Sequence, residues 1–209
     1  MCSSDLFALS CAKQVEHNAE PATYTEAIAS VDRDKWIAAM NEEMQSLEKN
    51  GTWDVVRLPK QKKAVRCKWI FKRKKGLSPN EPPRFKARLV AKGFSQIPGV
   101  DYNDVFSPVV KHSSIRTFFS IVAMHDLEVE QLDVKTAFLH GELEEEIYMD
   151  QPEGFIVPGK EDFVCKLNKS LYGLKQSTRQ WYKRFDSFMM SHGFKRSEYD
   201  SCVYIKFVN

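Results

Sequence analysis

Two segments in which cationic and apolar side chains alternate restrict the fold more than any other feature of this sequence. They read AVRCKWIFKRK at residues 64–74 and RFKARLVAKGF at residues 84–94. Because successive side chains of a strand point to opposite faces, the pattern predicts two strands, each with a cationic and an apolar face. The cations expected on the polar face are Lys68, Lys72, Lys74, Arg84, Lys86 and Arg88. The intervening GLSPNEPP is typical of an exposed loop, so we expect a basic β-ribbon over an apolar underside.

Such a ribbon suits phosphate groups, because lysine and arginine neutralise a nucleic-acid backbone without reading its sequence. The alternative is that the cations only keep an edge strand from pairing with other chains. The net charge is only +3, but two segments are strongly basic. Residues 57–92 hold 14 basic side chains and one acidic one, and residues 163–196 hold 8 basic side chains and one acidic one. Residues 126–162 reverse the balance, with 12 acidic and 2 basic side chains. Basic blocks on both sides of an acidic one indicate a polyanion-binding surface beside an acidic surface.

The remaining patterns indicate an α+β fold, since helices and strands are mixed without a regular βαβ rhythm. Residues 1–24 show no period and are expected to form a loose tail. The stripe of Trp36, Met40, Met44 and Leu47 predicts a helix over residues 34–49, ended by Asn50-Gly51. Further strands are expected at Trp53–Leu58, Leu127–Val134, Phe163–Leu167 and Cys202–Val208. A helix from Ser113 or Ser114 to about Met124 would bury Ile115, Phe118, Phe119 and Val122. A second helix, predicted after SLYGLKQ, would carry the apolar stripe Trp181, Phe185 and Phe188 and would end near Gly193.

The composition favours an intracellular protein, cytoplasmic or nuclear and not secreted. The five cysteines include no CxxC pair, and their odd number argues against a disulfide framework. The scattered histidines do not suggest a zinc site. No apolar run approaches the roughly 18 residues of a membrane span, and no basic residue precedes the short apolar patch near the start.

Asp133 lies at the end of an expected strand, within QLDVKTAFLHGELEEEIYM at residues 131–149. A carboxylate there can anchor Mg²⁺, which prefers carboxylate oxygens, water and substrate phosphates. Nucleotide polymerisation uses two such ions and so needs carboxylates from at least two adjacent strands. A lone aspartate is also a common turn-former, and the residue by itself leaves both readings open. The run Glu142, Glu144, Glu145 and Glu146 is interpreted as a solvated loop, because nothing nearby in sequence would fix these like charges.

Six segments together resemble the reverse transcriptase of copia-type LTR retrotransposons. They are AMNEEMQSLEKNGTW, KWIFKRKK, RFKARLVAKGFSQ, GVDYNDVFSPVVK, QLDVKTAFLHGELEEEIYM and KLNKSLYGLKQ. The similarity runs in order from about residue 34 to the last residue. It implies a reverse transcriptase domain over residues 25–209 with a right-hand polymerase fold, in which fingers span about 34–111 and a partial palm about 112–209.

The resemblance also implies roles for single residues. Asp133 matches the first catalytic aspartate of the family, and the carbonyl of Val134 would add a second contact to Mg²⁺. Phe138 matches the aromatic ring beneath the incoming sugar, where it would exclude a 2′-hydroxyl, although simple core packing explains it equally well. The positions that would hold the triphosphate are Lys72, Arg73, Lys74, Arg84, Lys86 and Arg88. In LYGLKQ, Gly173 would let the backbone approach the templating base, and Lys175 and Gln176 would line the pocket.

Two departures from the family pattern qualify these expectations. Ser177, Thr178, Arg179 and Gln180 replace a proline-containing stretch before Trp181, which is expected to alter how the next helix begins. The similarity stops before the Tyr-Val-Asp-Asp hairpin that carries the other two catalytic aspartates, and the sequence contains no Asp-Asp pair. Without the hairpin strands, the strand of Asp133 is expected to pair poorly.

The sequence therefore leads to a truncated, copia-type RNA-directed DNA polymerase domain that is inactive alone and binds Mg²⁺ weakly or not at all. Its expected partners are an RNA template, an RNA/DNA duplex and dNTP, with no membrane. The alternatives are a non-catalytic nucleic-acid-binding remnant, which needs only the two basic blocks, and an inert product of a decayed element.

Overall fold

The computed structural model describes residues 20–76 and 81–207. It confirms the mixed α+β class. Most of the predicted tail and part of the GLSPNEPP loop lie outside the described residues. The helices are α1 (Tyr24–Ala29), α2 (Arg33–Lys49), α3 (His112–His125) and α4 (Ser177–Ser191), with 3₁₀ turns at Gly93–Ser95 and Ala137–His140. The strands are β1 (Trp53–Arg57), β2 (Ala64–Val65), β3 (Cys67–Lys74), β4 (Arg84–Ala91), β5 (Glu142–Asp150), β6 (Phe163–Lys169), β7 (Lys195–Arg196) and β8 (Tyr204–Ile205).

Helix α2 confirms the amphipathic helix predicted over residues 34–49. Trp36, Met40 and Leu47 are buried on one face, and Gly51 follows with a φ of +60°. This face packs on the underside of the ribbon, where the Trp36 ring meets Phe71 and Phe85 edge-on at centroid distances of 5.3 and 4.6 Å. The apolar faces that the two sequence periods predict therefore form one core.

The strands form two sheets that share this core, with a small third hairpin. Strands β3 and β4 pair antiparallel as the predicted ribbon. A four-stranded sheet has the order β1-β6-β5-β2, in which only β2 runs parallel to its neighbour β5. Strands β7 and β8 pair near the end of the described chain. The last strand is shorter than predicted, since it spans Tyr204–Ile205, and Val208 lies outside the described residues.

The acidic run is a strand, so its interpretation as a solvated loop is wrong. It forms the first part of β5, and cations from neighbouring elements pair with its glutamates. Lys169 contacts Glu142 at 3.0 Å, Lys183 contacts Glu144 at 2.6 Å, and Lys166 contacts Glu146 at 3.2 Å. These lysines hold the pKa values of the three glutamates below their usual value. The countercharges come from β6 and α4, 20 to 39 residues away in sequence, and local reading could not find them.

Helix α3 has the predicted extent, but its predicted inward face is wrong. It spans His112–His125 with no buried residue, and Phe118 and Phe119 are 52% and 54% exposed. Its first turn is held by Asp200, which accepts a hydrogen bond from the backbone N–H of Lys111 at 2.9 Å. Val122 is the one half-buried apolar residue of α3, and none of its side chains is fully packed among the described elements.

The strand predicted at Leu127–Val134 is absent, because residues 127–134 have an irregular backbone. Leu132 is 86% exposed, and Asp133 is exposed beside it. A single strand leaves its backbone groups without ladder hydrogen bonds, and no described strand pairs with this segment. The alternation of apolar residues therefore predicts a strand that can form only when a neighbouring strand pairs with it.

The segment after residue 160 follows the prediction more closely. Strand β6 covers the expected Phe163–Leu167, and α4 begins directly after SLYGLKQ. Trp181 and Phe185 of α4 are half-buried, whereas Phe188 is 50% exposed and only the first part of the predicted stripe packs. Gly193 ends the helix with a φ of +81°.

Candidate nucleic-acid interface

The outer face of the ribbon carries the cations that the sequence pattern placed there. Lys72 lies directly opposite Lys86, and Lys74 lies directly opposite Arg84. All four side chains are exposed, whereas Trp69 and Phe71 on the other face are each 3% exposed. Like charges opposite one another destabilise a sheet. Two adjacent cation pairs therefore favour an anionic ligand across this face.

Arg73 does not share this face with the other cations proposed to hold a triphosphate. It is half-buried and lies directly opposite Phe85 in the register. Its guanidinium carbon lies 5.5 Å from the centroid of the Phe85 ring, and Lys35 lies 5.0 Å from the same ring on the underside of the ribbon. What Arg73 offers at the outer edge of β3 is its backbone N–H, which donates to Glu20 at 2.9 Å.

Three carboxylates lie close to the ribbon, and one of them, Glu81, lies 4.0 Å from the guanidinium of Arg84. Glu20 accepts a hydrogen bond from Lys72 Nζ at 2.6 Å, and this bond keeps the pKa of Glu20 below its usual value. Glu43, on α2, accepts from the backbone N–H of Leu89 at 3.3 Å. Burial raises the pKa of Glu43 despite that hydrogen bond. Glu43 therefore satisfies a donor on the edge of β4 where no further strand is described.

The turn of LYGLKQ is docked on the end of β4. The N–H of Ala91 donates to the carbonyl of Tyr172 at 2.8 Å, and Gly173 follows with a φ of +92°. A Cβ at Gly173 would lie 2.1 Å from the Ala91 carbonyl oxygen. Only glycine fits this position, because it tolerates positive φ and leaves room for the backbone of β4.

Tyr172 connects the ribbon to the turn that carries Phe138. The guanidinium carbon of Arg88 lies 5.2 Å from the Tyr172 ring centroid, and Phe138 meets the same ring edge-on at 5.0 Å. Two residues named from sequence are thereby brought together through a third that sequence reasoning missed. Its position between Leu171 and Gly173 in the recognised turn was the available signal. The cluster offers a cation and two aromatic rings, the groups on which nucleobases stack.

Gln176 is fully buried and does not present its side chain to a ligand. Its amide nitrogen donates to the Asp101 carbonyl at 2.9 Å and to Glu145 Oε2 at 3.1 Å, and its oxygen accepts from Gln96 at 3.1 Å. Gln96 also accepts from the N–H of Lys175 at 2.8 Å, while the Lys175 side chain is exposed. Gln176 and Gln96 therefore fix the turn, and sequence reasoning missed Gln96.

The second basic block is largely neutralised by the protein itself. Besides the three lysines paired with β5, Arg179 contacts Asp104 at 3.0 Å and Arg196 pairs with Asp186. Five of its eight cations therefore face acids of the same chain, and the contribution of this block to a polyanion-binding surface stays a prediction. The outer face of β3 and β4 carries six exposed cations, two of which, Lys72 and Arg84, have a carboxylate within 4.0 Å.

Asp133 and Val134 lie on the irregular segment that follows α3. Asp133 is exposed to solvent, not enclosed in an apolar interior. Within residues 20–76 and 81–207, no group of three or more His, Cys, Asp or Glu side chains is placed to hold a metal ion. A two-ion magnesium site would thus need ligands beyond the described residues. The roles of Asp133 and Val134 stay predictions.

No helix in the described part of the chain is long and apolar enough to cross a bilayer. No solved structure is significantly similar to the chain. Residues 50–209 match the family model described as reverse transcriptase (RNA-dependent DNA polymerase). That match begins at the strand before the ribbon and includes every element of the candidate site except Glu20 and Glu43.

Curated relatives extend the similarity over almost the whole chain. The retrovirus-related Pol polyprotein from transposon TNT 1-94 of Nicotiana tabacum is 57% identical over 192 residues, which is 92% of this chain and 14% of the relative. The Pol polyproteins from transposons RE2 and RE1 of Arabidopsis thaliana are 42% and 41% identical, each over 94% of this chain and 13% of the relative. The chain thus spans about one seventh of the length of these relatives. It belongs to the reverse transcriptase family, as the reverse transcriptase domain of copia-type retrotransposon Pol polyproteins.

Proposed function

We propose that this chain supplies the fingers and the first part of the palm of an RNA-directed DNA polymerase with a right-hand fold. The observation that carries the proposal is the Tyr172 ring, which joins Arg88 of the cationic ribbon to Phe138. A polymerase needs a phosphate-binding surface beside a platform for base and sugar. Here the two lie side by side on elements that share one core.

Each part of the interface has a distinct task in this proposal. Lys72, Lys74, Arg84 and Lys86 neutralise phosphates of the incoming dNTP or of the RNA/DNA duplex. Arg88 and Tyr172 provide a face on which a base stacks. Phe138, behind Tyr172, limits the space for a sugar and so favours deoxynucleotides. Gln96 and Gln176 position the turn without touching the ligand.

Mg²⁺ would stabilise charge on the attacking and leaving oxygens of nucleotide transfer. Asp133 and the carbonyl of Val134 are the ligands that this chain would contribute. The described residues do not assemble the remaining ligands. We therefore propose that the chain by itself does not polymerise and that polymerisation belongs to the longer polyprotein.

Primer extension tests the catalytic half of the proposal. The 209-residue chain is incubated with a primed RNA template, dNTPs and Mg²⁺, and the Asp133→Asn variant serves as the control. We expect no incorporation by either protein. Incorporation by the parent chain that disappears in the variant would show that the chain assembles a metal site on its own.

Duplex binding tests the other half. An RNA/DNA duplex with a fluorescent end is titrated against the chain at several salt concentrations. Replacing Arg84, Lys86 and Arg88 with alanine should weaken binding and lower the salt slope by about 2 to 3, since each lost phosphate contact removes about 0.9.

The matched control removes the same number of charges elsewhere. Alanine at Lys166, Lys169 and Lys183 deletes cations that face Glu146, Glu142 and Glu144. This variant should keep the parent salt slope. Equal slopes for both triple variants would show that net charge, not the ribbon, governs binding.

A non-catalytic nucleic-acid-binding protein is the second candidate function. It is favoured by the contrast between the ordered ribbon and the irregular backbone of residues 127–134. Binding of the duplex by the isolated chain, without incorporation of dNTPs, is the result that this candidate predicts. An inert product of a decayed element would instead melt broadly and bind no duplex.

A further inference from the structure

The carboxylate of Glu20 occupies a two-donor subsite on the edge of the ribbon. One oxygen accepts from Lys72 Nζ at 2.6 Å, and the other accepts from the backbone N–H of Arg73 at 2.9 Å. An ammonium and an adjacent backbone amide that converge on two oxygens of one anion would hold a phosphate equally well. Glu20 thus makes the contacts that a phosphate group would make.

The subsite lies within the cationic face. Lys72 is paired across the ribbon with Lys86, and the next pair is Lys74 with Arg84. The Lys72 side chain is 65% exposed even with Glu20 bound, so solvent and ligands reach it. Glu20 lies more than 50 residues before Lys72 in the sequence and reaches the ribbon from the segment that leads into α1. It comes from a part of the chain with few cations, since residues 1–56 hold 4 basic and 10 acidic side chains.

We propose that Glu20 is an internal competitor that occupies the phosphate subsite of Lys72 and the Arg73 amide until a nucleic-acid phosphate displaces it. The proposal rests on the phosphate-binding role given to the ribbon above. Glu20 contributes a negative charge to a face that otherwise repels itself, and it must leave before a phosphate takes its place. The N-terminal segment therefore lowers the affinity of the ribbon for polyanions.

The size of the effect follows from the type of contact. An exposed ion pair shifts the equilibrium toward the state in which Glu20 contacts Lys72 by a factor of at most about five. The apparent affinity of a competing phosphate ligand falls by the same factor. Removing the charge of Glu20 should therefore raise the affinity for a duplex about twofold to fivefold. The gain should shrink as salt rises, because exposed pairs are screened.

Glu20→Gln is the informative variant, because glutamine keeps the size of the side chain and an oxygen for the Arg73 amide. Glu26→Gln is the matched control. It removes the same charge from α1, where Glu26 accepts from the backbone N–H of Ala22 at 2.8 Å and has no contact with the ribbon. Binding of a fluorescent RNA/DNA duplex is measured for both at low and moderate salt, and thermal melting confirms that both are folded.

The expected result is tighter binding by Glu20→Gln and parent affinity for Glu26→Gln. In a Lys72→Ala background, Glu20→Gln should give no further gain, because the subsite has lost its ammonium. Parent affinity for Glu20→Gln, or equal gains from both glutamine variants, would overturn the competitor while leaving the ribbon as the binding surface. Absence of duplex binding by every variant would instead overturn the proposed function.

Inorganic tripolyphosphate in place of the duplex locates the effect at the subsite. We expect it to bind Glu20→Gln more tightly than the parent chain and to bind Glu26→Gln as the parent chain does. A gain for the duplex without any gain for tripolyphosphate would contradict direct occupation of a phosphate subsite.

Discussion

Replacing Gly173 with alanine should destabilise the protein far more than the same change at a glycine of similar backbone conformation. Gly173 has a φ of +92°, and an added Cβ would lie 2.1 Å from the Ala91 carbonyl oxygen and 2.6 Å from Val90 Cγ1. The carbonyl belongs to the backbone of β4 and cannot turn aside. Either the LYGLKQ turn or the end of β4 must move.

The magnitude has two parts. A non-glycine residue with positive φ costs about 1 to 2 kcal/mol, and forcing an extra methyl group into a packed site costs about 1 to 3 kcal/mol. Gly173→Ala should therefore lower the free energy of unfolding by about 3 kcal/mol. Gly99 provides the control, because its φ is +76° and nothing lies within 4 Å of the added Cβ. Gly99→Ala should cost only the backbone part, about 1 kcal/mol.

Urea unfolding followed by tryptophan fluorescence measures both variants. The midpoints should rank parent, Gly99→Ala and Gly173→Ala from highest to lowest, with similar slopes. Equal losses for the two variants would refute the argument, because they would show that the turn is not pressed against β4. In that case the placement of Tyr172 beside Arg88 would lose its structural support.

Three further predictions concern stability, pH and thiol chemistry. Ser170 is fully buried and its hydroxyl has no hydrogen-bond partner among the described residues. Ser170→Ala should therefore leave the free energy of unfolding unchanged or raise it by up to about 1 kcal/mol, and a clear fall in the urea midpoint would contradict this. The Ser114 hydroxyl and the backbone N–H groups of Lys111 and Cys202 lower the pKa of Asp200 to about 2 from 3.8, so Asp200 stabilises the fold above pH 3.8 and loses this effect as the pH falls through 2. The difference in melting temperature between the parent and Asp200→Asn should accordingly shrink between pH 4 and pH 2, and a constant difference would argue against this role. Burial raises the pKa of the Cys165 thiol to about 12, so iodoacetamide at pH 8 should alkylate Cys165 only after unfolding, as peptide mass spectrometry would show, and rapid labelling of the folded protein would disprove the burial.

The elements predicted well from sequence are those with a clear apolar period whose packing partner also has one. Helix α2 and the β3–β4 ribbon have clear periods, and their apolar faces pack on each other although Trp36 and Phe85 lie 49 residues apart in sequence. Gly173 was singled out because the turn has a distinctive sequence; its positive φ and its close approach to Ala91 explain the glycine by packing, and its role beside a templating base stays a prediction. The family itself followed from six short segments in order.

The differences between the sequence predictions and the structure concern groups whose own pattern does not reveal the partner that they meet or lack. The glutamates of β5 look like a repulsive run until Lys166, Lys169 and Lys183 are placed beside them. The side-chain amide of Gln176 is hydrogen-bonded to Gln96 and Glu145, which its sequence context does not indicate, and its role in lining a pocket stays a prediction. In residues 112–134 the periods predicted burial and pairing, and the described chain provides neither partner.

The bare faces of α3 have a thermodynamic consequence. At 14 residues it is near the length at which an isolated helix is marginal in water, and it buries no side chain that would couple it to the core. Its helix–coil equilibrium should therefore be coupled to global unfolding mainly through Asp200 at its first turn. All four tryptophans lie outside residues 112–134, so on warming, far-ultraviolet circular dichroism should begin to decline before indole emission reports any change.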